Sequence, residues 1–308
     1  MGYAARRETY YVCGYLHSHR HSPLSDQSSK NLTMRALNMI KAIIAATSLL
    51  FLLGLPVAAM SGGALQAIKE QEQILSMYNR AVELFTHKIP EEFEYRRNNS
   101  VGYIDFIKTI FGEKGIPNEM AYLPFIESGF SPVAVGPGDA AGLWQFMKGT
   151  AEKYGLRIDA YVDERKDPVK STYAAAEYLR DLYSIFGKWD VVLAAYNAGD
   201  GKIRRLVAKA DPAGLRLPNV INKYIARLLA VFTMAEEPEK YGFTAVDNDQ
   251  IETISYVEVT TSGRTGLAKI ATQYNTTVSA IRDLNPALIG NQTPPYHYVI
   301  LVPANESI

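Results

Sequence analysis

A chain of 308 residues, 47% hydrophobic and 21% charged, has the balance of a globular protein and enough length for one sizeable core plus a small second module. Basic and acidic residues both number 32, and a zero formal charge argues against nucleic acid, which calls for a basic excess or face. The single cysteine, Cys13, excludes an internal disulfide and a Cys/His zinc site.

An export signal is expected over residues 34–59. Met34-Arg-Ala-Leu-Asn-Met-Ile-Lys is a short basic start, 42–56 (AIIAATSLLFLLGLP) an uncharged apolar run, and Val57-Ala58-Ala59 a small-residue cleavage site. The run is shorter than the roughly 20 residues of a membrane span, so cleavage after Ala59 is the expectation. No cysteine lies near that site, so a lipoprotein is not expected. The upstream residues 1–33 are basic, His- and Ser-rich and without amphipathic period, and read as an extension ahead of a true start at Met34 or Met39. On that reading His17, His19 and His21 carry little weight as a metal site.

Residues 60–100 read as a helical lead-in and linker. Apolar residues recur at helical spacing over 64–85, whereas 86–100 is polar and charged. Helical segments follow at 103–111, ended by Gly112, and from Pro117 towards Glu127. The Gly/Pro/Asp-rich stretch Val135-Gly-Pro-Gly-Asp139 is a loop. The clearest helix is 167–186, with Asp167 as N-cap, Pro168 in the first turn and Gly187 as terminator. Its expected apolar face is Tyr173, Ala176, Leu179, Leu182 and Tyr183. A helix over 190–197 is stopped by Gly199-Asp200-Gly201, and another over 220–235 is closed by Pro238. Residues 101–240 thus form a compact all-α domain, with a boundary near Tyr241. Beyond it, 251–260 alternates as a strand, 267–274 and 278–284 are short helices, and 299–302 is a closing strand. A β-α-α-β unit over 251–303 is too small for an enzyme core and suits a binding module.

Glu127 follows the apolar stretch Tyr122-Leu-Pro-Phe-Ile126. A hydrophobic wall disfavours the carboxylate and raises its pKa, which suits a general acid near neutrality. Four motifs stand in order in this domain: Phe125-Ile-Glu127-Ser128, Ala141-Gly-Leu-Trp144-Gln145-Phe-Met147, Ala195-Tyr196-Asn197-Ala-Gly199, and Tyr224 in KYIARLLA. Each alone has a plain structural explanation. Together, over about residues 103–240, they resemble the family-1 lytic transglycosylases (SLT domain), in the form of the membrane-bound D subgroup. Asp163-Glu-Arg165-Lys-Asp167, Ser171-Thr-Tyr-Ala-Ala175 and Leu217-Pro218 extend the resemblance.

The resemblance implies a mainly α, goose-lysozyme-like catalytic domain and an enzyme that cleaves peptidoglycan between MurNAc and GlcNAc without cofactor or metal. It implies Glu127 as the catalytic acid and then base, with the C6 hydroxyl of MurNAc attacking C1 to give a 1,6-anhydro end. Ser128 and Gln145 would hydrogen-bond the substrate, Tyr196 and Asn197 would form a shelf, and Tyr224 would stand near the glutamate. Met147 would line the cleft or fill the core, and Trp144 is more a packing residue than a sugar platform. Asp163, Arg165 and Asp167 read as caps and ion pairs. Two departures stand out. Val220-Ile221 occupies the place of a Glu-Thr pair, and Gly136-Pro137-Gly138-Asp139 replaces a Ser-containing stretch, making Asp139 a candidate to activate water.

The C-terminal unit resembles a divergent LysM peptidoglycan-binding module through Ser262-Gly263, Leu267, Ile270-Ala271, Leu284-Asn285-Pro286 and Leu301-Val-Pro303. Its opening, Ser262-Gly-Arg-Thr-Gly-Leu267, reverses a charge and adds a residue, so a structural lid competes with glycan binding. Asp247-Asn-Asp249 lacks the glycine and closing glutamate of a calcium loop. The expected partners are peptidoglycan glycan strands and cell-envelope proteins, with no nucleic acid, for a monomer in the periplasm or cell envelope. A hydrolytic muramidase or chitinase, with Asp139 or Asp163 holding water, and a non-catalytic peptidoglycan binder are the alternatives.

Overall fold

The computed structural model describes residues 62–210, 217–244 and 255–304. The upstream extension, the signal at 34–59, the His cluster, Asp247-Asn-Asp249 and the start of the strand expected from 251 lie outside them.

Helix α1 (Gly62–Glu83) runs through a π turn (Leu84–Lys88) into α2 (Pro90–Ser100). The linker expected over 86–100 is therefore corrected. Pro90 opens α2 and Glu91 and Glu92 occupy its first turn, both favourable at a helix N-terminus. Phe93 is fully buried, its ring 5.5 Å from Phe85, 5.2 Å from Phe125 and 4.7 Å from Phe243. The helical core thus begins well ahead of residue 101 and closes past residue 241.

Helix α3 (Ile104–Glu113) passes Gly112 by one residue. A 3-10 turn (Asn118–Tyr122) leads into the short α4 (Leu123–Glu127), and a long loop then reaches α5 (Lys148–Lys153). Helix α6 (Pro168–Phe186) starts as its sequence indicates: Asp167 accepts from the amides of Val169 (3.0 Å) and Lys170 (2.9 Å). Gly187, at φ 66°, ends it in the left-handed conformation. Its buried face is Ala174, Ala175, Ala176, Leu179 and Leu182, whereas Tyr173 (46%) and Tyr183 (41%) are exposed. Tyr183 nonetheless stacks at 4.5 Å on Trp189, the first residue of the neighbouring α7 (Trp189–Ala198).

Gly199-Asp200-Gly201 ends α7 but also starts α8 (Asp200–Lys209), an element the glycines concealed. The long α9 (Asn219–Glu236) buries Ile221, Tyr224, Leu228, Val231 and Phe232, and α1 lies along it, with Tyr78 Oη bonded to Thr233 Oγ1 at 2.8 Å. Among the described residues no helix is long and apolar enough to cross a membrane.

The C-terminal module has the expected β-α-α-β order: β1 (Tyr256–Thr261), α10 (Leu267–Gln273), α11 (Val278–Leu284) and β2 (Tyr298–Pro303). The strands pair antiparallel from Tyr256↔Pro303 to Thr261↔Tyr298. Leu267, Ile270, Ile281, Leu288, Ile300 and Val302 form its core, and Val162 of the helical domain is buried in the same cluster.

Candidate active site

Glu127 is the last residue of α4, and the chain reverses straight after it through Gly129 (φ 63°) and Phe130 (φ 59°). The reversal is held by the amides of Ser128 and Phe130, which both donate to the Pro124 carbonyl, at 3.0 and 3.1 Å. Phe125 and Phe130 are sunk in the core, so the half-buried Glu127 side chain leaves the backbone from a rigid turn. Tyr224 on α9 donates its hydroxyl to Glu127 Oε1 at 2.6 Å. Burial pushes the Glu127 carboxyl above its ordinary pKa, and the Tyr224 bond, which favours the charged form, pulls partly back. Among the described residues no second carboxylate acts on Glu127. The Tyr196 and Tyr224 hydroxyls are both held well above the usual range, first by burial and then by the nearby Glu127 charge.

The loop over 134–147, bonded to the residue after Glu127, is folded as a tight double reversal. Val135 bridges Ala141, and Ala141 bridges Phe146. Two hydrogen bonds join this loop to the residues around Glu127: Ser128 Oγ donates to Leu143 O at 2.8 Å, and Tyr196 Oη to Trp144 O at 2.7 Å. Gln145 sits at φ 49°, a sparsely populated conformation, with Nε2 donating to Gly142 O (2.9 Å) and Ala134 O (3.3 Å). A β-carbon on Gly136 would lie 2.2 Å from Gln145 Oε1, so a larger residue there would displace the end of this side chain. Trp144 is buried, its indole N–H on Thr172 Oγ1 at 3.0 Å, which makes it a packing residue. Met147 is 48% exposed beside Gly138, at the rim of the loop and not in the core.

The structure therefore brings Glu127, Tyr224 and Tyr196 into one electrostatic group. Ser128 and Gln145 spend their donors on the loop backbone, and Met147 edges it. Asn197 is exposed on α7 beside Tyr196, outside the hydrogen bonding that holds Glu127. Asp163 gives both carboxylate oxygens to Arg165, and Asp139 contacts the same guanidinium at 3.4 Å while standing 68% exposed. Sequence reasoning missed α2. Its Arg96 donates to Phe125 O at 2.8 Å and its Asn99 to Gly129 O at 3.0 Å, clamping the backbone on both sides of Glu127. Proline followed by Glu91 and Glu92, with Arg96 four residues after Glu92, was the available signal for that helix.

The transglycosylase SLT domain family matches residues 107–214, a stretch that holds Glu127, Gln145 and Tyr196 but not Tyr224. The membrane-bound lytic murein transglycosylase D of Escherichia coli (strain K12) is 29% identical over 197 residues, 61% of this chain and 43% of that protein. A protein of Alteromonas sp. (strain M-1) named for tributyltin chloride resistance is 31% identical over 153 residues, 47% of this chain and 73% of the relative. The peptidoglycan transglycosylase gp16 of Escherichia phage T7 is 38% identical over 79 residues, 25% of this chain and 6% of that protein. The chain thus spans less than half the length of the Escherichia coli relative.

Proposed function

The chain belongs to the transglycosylase SLT domain family, and on that premise we propose that it is an exported lytic transglycosylase that cleaves the β-1,4 bond between MurNAc and GlcNAc of peptidoglycan. The observation that carries the reading is the half-buried Glu127 carboxyl, raised in pKa and held by one tyrosine hydroxyl, with no carboxylate partner acting on it among the described residues. A glycosidase that uses water draws on two carboxyl groups, one as acid and one as nucleophile or base. Glu127 stands without the second.

Protonated Glu127 gives its proton to the glycosidic oxygen as the C1–O bond breaks, and GlcNAc leaves with a free hydroxyl. The C6 hydroxyl of the same MurNAc attacks C1, and the Glu127 carboxylate takes its proton. A 1,6-anhydro ring closes, no water is consumed, and the glutamic acid is restored. Tyr224 stabilises the carboxylate between the two transfers and holds its rotamer. Tyr196 fixes the loop through Trp144 O and shields Glu127 from water. Ser128, Gln145, Met147 and Asn197 line the sugar sites, the first two chiefly by holding backbone carbonyls in place.

The hydrolytic alternative draws no support from the carboxylates available. Asp163 is locked on a guanidinium, and Asp139 is turned to solvent and the same Arg165. Digestion in heavy-oxygen water tests the reading. New ends free of heavy oxygen are expected, and heavy oxygen at each new MurNAc end would show hydrolysis instead.

A further inference from the structure

We propose that the C-terminal module is a positioning element of the active site: it grips the hairpin over 157–164, closed by the antiparallel bridge of Ile158 with Asp163, and, through Arg165, sets the 134–147 loop beside Glu127. The kinetic arm of this proposal rests on the glycan-cleaving function proposed above.

The outer link is a continuous interface. Val162, fully buried, packs into the module's core with Leu267, Leu288 and Ile300. Two backbone bonds extend it: Ile289 N–H donates to Tyr161 O and Asp163 N–H to Ala287 O, both at 2.9 Å. Tyr296 Oη donates to Asp159, and the Arg157 guanidinium stacks 4.2 Å over the Tyr296 ring. A glycan tether on a flexible hinge needs none of these contacts.

The inner link is Arg165, whose side chain is only 4% exposed. It grips Asp163 with Nε (2.9 Å) and Nη2 (2.8 Å), on the module's side. With Nη1 it donates to Asp139 O and to Phe146 O, the two arms of the cleft loop. Gly142 lies so close to the Arg165 carbonyl that an added β-carbon would come 1.8 Å from the oxygen, so the loop packs backbone to backbone against the end of the hairpin. The loop then reaches Glu127 through Ser128 Oγ and Tyr196 Oη. A planar five-donor fork is needed to join all four acceptors, and lysine cannot supply it.

The test uses the full chain carrying Val162→Asp, the milder Val162→Ala, or Arg165→Lys, with Val162→Ile as the conservative control. Amide exchange at Gly136, Gly142 and Phe146 should quicken about 10-fold or more in the first three variants and not in the control, while Leu228 and Val231 of α9 keep their protection. On a short soluble glycan, kcat should fall by at least about 10-fold with little change in KM, because a displaced loop mispositions rather than unbinds substrate. Unchanged loop exchange, with losses confined to insoluble sacculi, would overturn the proposal in favour of a tether. Exchange quickened equally in α9 in all three variants would also overturn it, since the contacts would then serve general stability. If the unaltered chain cleaves no glycan, the functional proposal fails by itself, and the exchange arm still decides this one.

Discussion

Burial and Tyr224 pull the Glu127 proton in opposite directions, and that opposition can be read in solution. Replacing Tyr224 with Phe removes the hydroxyl that favours the carboxylate, so the Glu127 pKa should climb further. The alkaline limb of the kcat profile is then expected to move to higher pH as kcat itself drops; a limb that stays or moves to lower pH would separate Tyr224 from the acid. Glu127→Gln should lower kcat by roughly 100-fold to 10000-fold or more, as general acid and base catalysis are both lost. Its stability carries a sign as well. The folded pKa is raised, so the contribution of protonated Glu127 is complete below the unfolded pKa and is lost as pH rises through the folded value. The Gln variant keeps a neutral side chain at every pH. It should therefore melt above the wild type near neutrality, and the gap should close in acid.

At the scale of elements, α2 is the piece that composition hid and that Glu127 depends on. Asn99→Ala leaves the Gly129 carbonyl buried without its donor, which should cost about 1–3 kcal/mol in urea denaturation. Arg96→Ala should act more on kcat than on stability, since it releases the Phe125 carbonyl one turn end away from the acid. Long periodic helices were legible, and Asp167, Pro168 and Gly187 set both ends of α6 correctly, because caps act locally. The segment over 90–100 was not, because its one large apolar anchor, Phe93, stands among charged and polar residues and is buried by rings from Phe85, Phe125 and Phe243, outside the segment. The same limit misplaced Tyr173 and Tyr183, whose apolar spacing could not reveal that both stay exposed while the alanines beside them are buried. Glu127 and Tyr224 were readable as motif residues; that they touch, and that Gln145 spends its amide on its own loop, depends on tertiary geometry.

Over the whole molecule, two apolar clusters are joined where Val162 enters the second. That junction predicts one cooperative unfolding transition for the helical domain and module together, with calorimetric and van't Hoff enthalpies agreeing. Two resolved transitions in the unaltered chain would show that the module is an independent body. In the same joined frame Asp139 and Asp163 are both engaged by Arg165, and the proposed function rests on Glu127. The most direct measurement is the mass of the products from purified peptidoglycan digested with the purified chain. Fragments ending in anhydro-MurNAc, each one water lighter than the reducing form, are the predicted result. Fragments with reducing MurNAc ends alone would contradict it.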